Sequence, residues 1–193
     1  MLSFARKVAV DASSVAASDV EALKRHGFTD GEVFDIVYTS RGVLGWLPDI
    51  RAWARVVAHF LAPGGTFYIS EVHPVAQAFD DEGVAPGELR LRYPYWEHPE
   101  PLVFEVKGSY ADRDADVGDQ QEHGWDHGLG EIVTALIEAG LRIESLEEHR
   151  ELEWAIDFLV ETEPGSDRFI LPPGSAGELP LMFSLRATKP VAD

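Results

Sequence analysis

Two titratable side chains, Glu71 and His73, lie at the end of a predicted strand over residues 66–72. Histidine is the side chain that most readily carries a proton near neutral pH. His73, with Glu71 close to it in the chain, is therefore our candidate for general acid–base catalysis. The alternative interpretation is that His73 begins a solvated loop just before Pro74.

A second polar segment follows the apolar run of residues 33–39. In open sheets of parallel strands, ligands bind outside the carboxyl ends of the strands. We therefore predict that this segment contacts a bound ligand, although a polar turn would have the same composition. The residues are Thr39, Ser40, Arg41 and Gly42.

Histidine and aromatic residues precede a predicted helix over residues 129–139. His123 and His127 are four residues apart, which suits metal ligands, but the sequence offers no convincing third ligand. We therefore predict no metal site, and expect Asp126 and His127 to cap the helix. From this region and the segment before it, the candidates for substrate binding are Tyr95, Trp125 and His127.

Other aromatic side chains between residues 93 and 110 can either line a substrate pocket or pack into a core. Aromatic residues in small β-rich segments are more often core, and we prefer that interpretation for most of them. The residues are Tyr93, Trp96, Phe104 and Tyr110, together with Tyr95.

The elements that must position these residues begin with a strand, a helix and a second strand. Residues 33–39 are nearly all apolar, which is typical of a strand covered on both faces. Asp49 is a candidate N-cap for an amphipathic helix that ends at "APGG", before the strand 66–72. This order predicts a right-handed βαβ unit with parallel strands.

The same plan returns near the end of the chain. The helix 129–139 ends at Gly140, and residues 141–149 are the next strand. We predict that "LEWAIDFLV" (152–160) and "LPLMFSLRA" (179–187) are antiparallel partners joined by a loop rich in proline and glycine. Before residue 33, we predict a helix over 2–12 and a short strand over 14–18.

Length and composition indicate one globular domain over residues 1–193, with residues 74–126 as a β-rich cap insert. The net charge of −18 argues against nucleic acid and anionic membranes as partners. The absence of cysteine excludes disulfides, thiolate metal sites and a cysteine nucleophile, and suits a reducing cytoplasm. We therefore expect a cytoplasmic protein that acts on a small molecule.

The order of "FDIVYTSRGVLGWLPD", "FLAPGGTFYISE", "GEIVTALIEAGLRIESLEEH" and "FSLRATKP" resembles a class I S-adenosylmethionine-dependent methyltransferase over roughly residues 19–190. The resemblance implies an α/β fold, a Rossmann-like three-layer sandwich with a mostly parallel sheet and an antiparallel last strand. Residues 33–39, 66–72, 141–149 and 179–187 would be its fourth, fifth, sixth and seventh strands.

The resemblance also implies a cofactor, S-adenosylmethionine, and residues that bind it. Asp19 would accept a hydrogen bond from the adenine amino group, with the amide of Val20 beside it. The alternative is that Asp19 is the N-cap of a helix. The segment from Thr39 to Gly42 would flank the methionine portion of the cofactor.

The chain departs from the family in one respect. The family places an acidic residue followed by G-x-G after its first strand. No such motif occurs before residue 33, and no segment matches the first two strands of the family, so we expect an N-terminally incomplete form. A different register would make residues 7–13 the second strand, with Asp11 on the ribose. We expect the fourth strand to expose its edge, and the chain to form a homodimer through that edge.

Two rival functions remain open. The first is a non-catalytic remnant or interaction subunit that has the fold but does not bind the cofactor. The second is a nucleotide-dependent enzyme of another Rossmann-like group, against which the absence of G-x-G-x-x-G and of a P-loop counts.

Overall fold

The computed structural model describes residues 31, 33–106, 120–175 and 178–191. Its strands are β1 (Phe34–Ser40), β2 (Leu61–Val72), β3 (Leu102–Val106), β4 (Gln120–Gly124), β5 (Arg142–His149), β6 (Val160–Glu161), β7 (Phe169–Ile170) and β8 (Met182–Thr188). Its helices are α1 (Ile50–Phe60), α2 (Pro74–Gln77) and α3 (Leu129–Glu138), with a 3₁₀ turn at Leu44–Trp46. The helix predicted over 2–12 and the strand over 14–18 lie outside the described residues.

The main sheet has four strands in the order β1-β2-β8-β5. β1 and β2 are parallel, whereas β8 is antiparallel to both of its neighbours, β2 and β5. The predictions of a parallel β1-α1-β2 unit and of an antiparallel last strand are therefore confirmed. The result is a mixed α/β sheet whose last strand lies inside the sheet rather than at its edge.

Helix α1 forms where the sequence pattern places it. The Asp49 carboxylate accepts a hydrogen bond from the Ala52 N–H at 2.7 Å, which satisfies one of the donors left free at a helix start. Trp53 and Val57 face the sheet and are buried. The Trp53 ring meets Phe67 of β2 edge to face at 5.7 Å. The helix therefore covers one face of the β1-β2 pair.

The turn between α1 and β2 depends on two adjacent glycines. Gly64 has φ of +78°, a conformation that L side chains rarely adopt. At Gly65, a Cβ would lie 2.8 Å from the Ala62 carbonyl oxygen and 3.0 Å from that of Asp35 in β1. The missing side chain at Gly65 therefore permits the close approach of β1 to the start of β2.

Helix α3 packs beside α1 on the same face of the sheet. Its buried residues Ile132 and Leu136 join Phe183 and Leu185 of β8 in the main hydrophobic core. Gly140 follows the helix with φ of +88°, as predicted for the residue after a helix end. The helix and the following strand β5 are thus confirmed near their predicted bounds.

A second hydrophobic cluster lies beyond the carboxyl ends of β1 and β2. It joins Val72, Ala76 and Val84 to residues of the segment between β5 and β8, such as Phe158 and Leu181.

The polypeptide between α2 and β3 is fixed by the buried Asp80 carboxylate. That carboxylate accepts hydrogen bonds from the guanidinium groups of Arg90, at 2.6 Å, and Arg92, at 2.7 Å.

The prediction that residues 152–160 form a strand beside β8 is wrong. β8 pairs with β2 and β5 instead, and residues 152–159 form bends, a turn and irregular segments before the short strand β6. Leu152 and Phe158 are fully buried in the second hydrophobic cluster. The apolar residues of this segment are therefore anchors for loops, which an apolar pattern alone does not distinguish from strand residues.

The prediction that β1 is covered on both faces is also wrong. Val37 and Thr39 face the core, but Ile36 is 70% exposed and Tyr38 is 55% exposed. The Tyr38 ring stacks on that of Tyr68 of β2 at 5.9 Å. We call Ile36, Tyr38 and Tyr68 the exposed β1 face. Both long helices, α1 and α3, lie on the opposite face of the sheet.

In the part of the chain that the structure describes, no helix is long and apolar enough to cross a membrane.

Candidate functional site

A cavity of about 390 Å³ opens where β1 and β2 end. Gly42, Gly45 and Trp46 line it from the segment after β1, and Val72 lines it from the end of β2. The opposite wall comes from α2, from the β3-β4 hairpin and from residues 154–156. Its volume lies at the small end of the roughly 300–1,000 Å³ of small-molecule sites. The two strand ends thus border one crevice, as predicted.

The segment after β1 is held in place by Glu71. Its carboxylate accepts hydrogen bonds from the N–H groups of Gly42, of Val43 at 2.9 Å, of Leu44 at 3.4 Å and of Val72 at 2.9 Å. Gly42 itself has φ of +74°, which turns the chain away from the strand. Glu71 therefore positions the cavity wall formed by residues 42–46.

The Glu71 carboxyl group is 2% exposed. Burial raises its pKa above the ordinary value, and the backbone N–H groups that it accepts from oppose this rise. Its hydrogen-bonding capacity is committed to the backbone of the loop. The structure gives Glu71 a positioning role through its hydrogen bonds to the loop. The catalytic role predicted for Glu71 stays a prediction.

His73 lies behind the cavity wall rather than on it. Its Nδ1 accepts a hydrogen bond from the Val75 N–H at 3.1 Å, so the imidazole caps helix α2. Its Nε2 lies 2.9 Å from Glu148 Oε1, in a contact that is not aligned as a hydrogen bond. Burial lowers the pKa of His73, and the neighbouring Glu148 carboxylate opposes this. Its predicted part in proton transfer also stays a prediction.

The four residues predicted to contact the ligand after β1 differ in their surroundings. Thr39 is buried and faces the core, and Ser40 pairs through its backbone with Ser70 of β2. Arg41 points to the surface, where its guanidinium meets the Glu153 carboxylate. Gly42 lines the cavity.

Of the three residues predicted to bind substrate, Trp125 lines the cavity. Tyr95 packs against the start of α3, where its hydroxyl accepts a hydrogen bond from the Leu129 N–H at 3.3 Å. His127 is 3% exposed, and its Nε2–H donates to the Leu47 carbonyl at 2.7 Å. Burial is the main cause that lowers the pKa of His127. Tyr95 and His127 thus support the cavity from outside.

Aromatic residues that sequence reasoning assigned mainly to a core, or did not single out, form most of the apolar cavity lining. Tyr93 and Phe104 pack against each other with ring centroids 5.8 Å apart and both line the cavity. Trp46 and Trp154 line it from the segments after β1 and β5. The high density of aromatic residues in 93–104 was a sequence signal for an aromatic cavity wall. The residues around Trp154 carry no comparable signal.

Asp126 is the most unusual polar group on the cavity wall. Its Oδ2 is buried and has no hydrogen-bond partner among the described residues. Burial raises the pKa of its carboxyl group to about 6, and the charge of His98 opposes this rise. A buried carboxylate without a partner costs free energy unless a cation or a proton joins it. The prediction that Asp126 and His127 cap α3 is wrong, because the N-cap is Gly128 and neither side chain caps the helix.

A group of three ligand-type side chains lies next to the cavity, at the start of α3. One ligand atom each from Glu97, His127 and Glu131 lie within 4.8 Å of one another, a spacing that can admit a metal ion. However, the Arg51 guanidinium lies 3.5 Å from Glu131 and already supplies positive charge. Burial is the main cause that raises the pKa of Glu131 to about 7, and the nearby Glu97 carboxyl group raises it further.

Three residues of the sequence analysis, Asp11, Asp19 and Val20, lie outside the described residues. The cofactor contacts assigned to Asp19 and Val20, and the alternative register with Asp11, therefore stay predictions. The same applies to Tyr110 in the insert.

Comparison with solved structures identifies the fold. A methyltransferase from Mesorhizobium loti that depends on S-adenosylmethionine shares 20% identity, with 89% of this chain and 77% of that chain covered and a TM-score of 0.50. A putative enzyme of the same class from Listeria monocytogenes shares 16% identity, with 84% and 65% covered and a TM-score of 0.51. This chain thus spans less than two thirds of the Listeria protein.

No model of a known protein family matches the chain, and no curated protein matches its sequence. At identities this low, the structural likeness shows the fold alone. That fold is the one of class I S-adenosylmethionine-dependent methyltransferases, as the sequence resemblance implied.

Proposed function

We propose that this chain, which has the class I methyltransferase fold, is an S-adenosylmethionine-dependent methyltransferase of a small molecule. The observation that carries the proposal is the cavity itself. It lies at the carboxyl ends of the parallel strands β1 and β2, where ligands bind in sheets of this kind. We also propose that the described part of the predicted cap insert, residues 74–106 and 120–126, closes the outer side of this cavity.

The described residues fit the reactive end of the cofactor better than its adenosine end. When bound, S-adenosylmethionine supplies a methyl group on a positively charged sulfur, which suits a cavity with aromatic and carboxylate walls. In the sequence before β1, no acidic residue is followed by G-x-G. By resemblance, Asp19 and Val20 would contact the adenine.

The chain's own part in such a reaction is mainly positioning. Displacement of a methyl group that is already activated depends chiefly on proximity and alignment, so no catalytic triad is required. Glu71 fixes the loop from Gly42 to Leu44, and this loop with Val72 would hold the donor next to the acceptor. Trp125 would contact the acceptor, with Tyr95 and His127 behind it.

The alternative is a non-catalytic protein with the same fold that does not bind the cofactor. Two observations favour it: no G-x-G motif precedes β1 in the sequence, and Glu71 rather than a ligand uses the N–H groups of Gly42, Val43 and Leu44.

Titration calorimetry with S-adenosylhomocysteine separates the two functions. We expect saturable binding in the micromolar range. Two matched variants locate the site: Gly42→Ala and Gly83→Ala both place a side chain at positive φ, +74° and +68°, in open space. Only Gly42 lines the cavity, so we expect Gly42→Ala to weaken binding at least tenfold and Gly83→Ala to leave it unchanged.

No saturable heat at ligand concentrations up to about 1 mM would rule out the methyltransferase and support the non-catalytic alternative. Equal effects of the two glycine variants would place the cofactor elsewhere.

A further inference from the structure

The cavity has an unusual concentration of aromatic rings. Three of the five tryptophans of the chain contribute to it, and three further rings come from phenylalanine and tyrosine. The aromatic lining residues are Trp46, Phe79, Tyr93, Phe104, Trp125 and Trp154. The face of an aromatic ring carries negative electrostatic potential and attracts cations, and tryptophan does so most strongly.

The charged residues on the wall are all acidic. They are Asp81, Glu122 and Asp126. No lysine, arginine or histidine is among the described residues that line the cavity. These carboxylates would repel an anionic ligand and could only accept hydrogen bonds from a neutral one, whereas an organic cation would meet complementary charge on several sides.

One arginine beside the aromatic wall, Arg92, is already engaged by other groups. Arg92 lies over the Tyr93 ring, with its guanidinium carbon 5.1 Å from the centroid. The Asp80 carboxylate accepts a hydrogen bond from the same guanidinium at 2.7 Å. This hydrogen bond is the main cause that raises the pKa of Arg92, and the charge of Asp81 on the cavity wall also contributes, so the charge of Arg92 reaches Asp81 as well. By contrast, Asp126 Oδ2 has no hydrogen-bond partner among the described residues.

Asp126 provides the anchoring group for such a ligand. Its Oδ2 is buried and has no hydrogen-bond partner among the described residues, so only the charge of His98 offsets the cost of desolvation. A ligand that carries a positive charge would supply the missing partner. Aromatic rings around a buried carboxylate are the arrangement that recognises alkylated ammonium groups.

We propose that the cavity binds an organic amine in its protonated, ammonium form, and that this amine is the methyl acceptor of the reaction. The ammonium would give a proton to the Asp126 carboxylate, and the freed nitrogen lone pair would then take the methyl group as the carbon–sulfur bond breaks, which leaves S-adenosylhomocysteine. Choline, which has no such proton, serves only as a binding probe. The assignment of this amine as the methyl acceptor rests on the proposed function, whereas its binding to the cavity does not. The sulfonium of the methyl donor has similar chemistry, so the experiment must separate the two sources of positive charge.

The test uses three probes of the same shape and different charge, titrated while the intrinsic tryptophan fluorescence is recorded. Choline is the cation, 3,3-dimethylbutan-1-ol is its neutral carbon counterpart, and 3,3-dimethylbutanoate is the anion. Because Trp46, Trp125 and Trp154 line the cavity, its occupation changes their emission. We expect choline to bind at least tenfold more tightly than the alcohol, and the anion not to bind. Equal binding of choline and the alcohol would overturn the proposal.

Variants then locate the probe. We expect Asp126→Asn to weaken choline binding about tenfold while binding of the alcohol is unchanged. Asp167→Asn is the matched control. Asp167 is exposed, and its φ of +53° suits asparagine. Trp154→Leu provides a second variant that also weakens choline binding, should Asp126→Asn fail to fold. Unchanged choline affinity in folded Asp126→Asn and Trp154→Leu proteins would contradict the site.

Titration of choline in the presence of saturating S-adenosylhomocysteine distinguishes acceptor from donor. Simultaneous binding of both supports the acceptor assignment, and competition between them overturns it. Choline binding without any binding of S-adenosylhomocysteine would support the cation cavity and contradict only the methyl-transfer function. The reverse result would contradict the cation cavity and leave the proposed function standing.

Discussion

At the scale of single residues, Asp126 links the stability of the protein to its proposed ligand. Its carboxyl group has a pKa of about 6 in the folded protein because burial disfavours its charge. An unfolded chain gives aspartate a pKa of about 3.9. The folded state therefore binds the proton more tightly than the unfolded state, and the charged carboxylate opposes folding at neutral pH.

We predict that Asp126→Asn stabilises the fold at pH 7 while it weakens choline binding. For a group that is only half-buried, solvent screening leaves an expected gain of roughly 1–2 kcal/mol in the free energy of unfolding. The contribution of Asp126 to stability is lost as pH rises from about 4 to about 6. Urea unfolding at pH 4 and pH 7 should therefore show a gain at pH 7 that disappears at pH 4.

Asp167→Asn again serves as the control, since its side chain is exposed. A loss of stability at pH 7 in Asp126→Asn, with unchanged stability in the control, would show that the carboxylate has a stabilising partner in the protein. It would also remove the main reason for a cationic ligand.

At the scale of the elements, the junction between α1 and β2 depends on Gly65. We predict that Gly65→Ala destabilises the protein, because the new Cβ would lie within 3.0 Å of backbone carbonyl oxygens of Ala62 and Asp35. Backbone atoms cannot move aside without a change in the β1-β2 pairing, and the cost should be about 1–3 kcal/mol. Thermal unfolding followed by circular dichroism measures it.

Gly130→Ala is the natural comparison for Gly65→Ala. Gly130 lies in α3, where an added Cβ would meet nothing within 4 Å, and alanine favours a helix over glycine by up to about 1 kcal/mol. This variant should leave the melting temperature unchanged or raise it. Equal destabilisation by both substitutions would mean that the close approach at Gly65 has no special role.

Elements with local signals could be predicted from sequence. Helix α1 has its N-cap at Asp49 and apolar residues at helical spacing, and α3 ends at Gly140. β1 and β2 were predicted as neighbours because one short amphipathic helix joins them. In each case, the residues that fix the element lie within a few positions of it in the chain.

The cavity could be predicted only in part, because its wall is assembled from distant segments. Gly42 and Trp125 were named from the sequence, whereas Trp154 reaches the cavity only through the loops that Leu152 and Phe158 anchor. The role of Glu71 is similar. Its position at a strand end was predicted, but its bonds to the N–H groups of Gly42 and Val43 depend on the fold of the loop.

At the scale of the whole molecule, the exposed β1 face is an apolar surface that is accessible to solvent. β1 is also the terminal strand of the four-stranded sheet as described. An outermost strand next to exposed apolar side chains favours pairing with another chain. We therefore propose a homodimer through this edge, as the sequence predicted.

Size-exclusion chromatography with light scattering tests the dimer. We predict that the full chain is dimeric at high concentration, and that Tyr38→Lys makes it monomeric. Leu91→Lys is the control, since Leu91 is 73% exposed and lies away from β1. Because each chain carries a net charge of −18, added salt should favour the dimer by screening repulsion. A folded monomer at all concentrations and salt levels would contradict this prediction.

The interior position of β8 has a consequence for synthesis on the ribosome. β8 (Met182–Thr188) is the strand that joins β2 to β5, so the two halves of the sheet meet only after residue 188 has emerged. At typical translation rates, the stretch between Val72 and Met182 takes roughly 5–20 s to make. During that interval the inner edge of β2 is open, and a nascent chain would benefit from a chaperone that covers it.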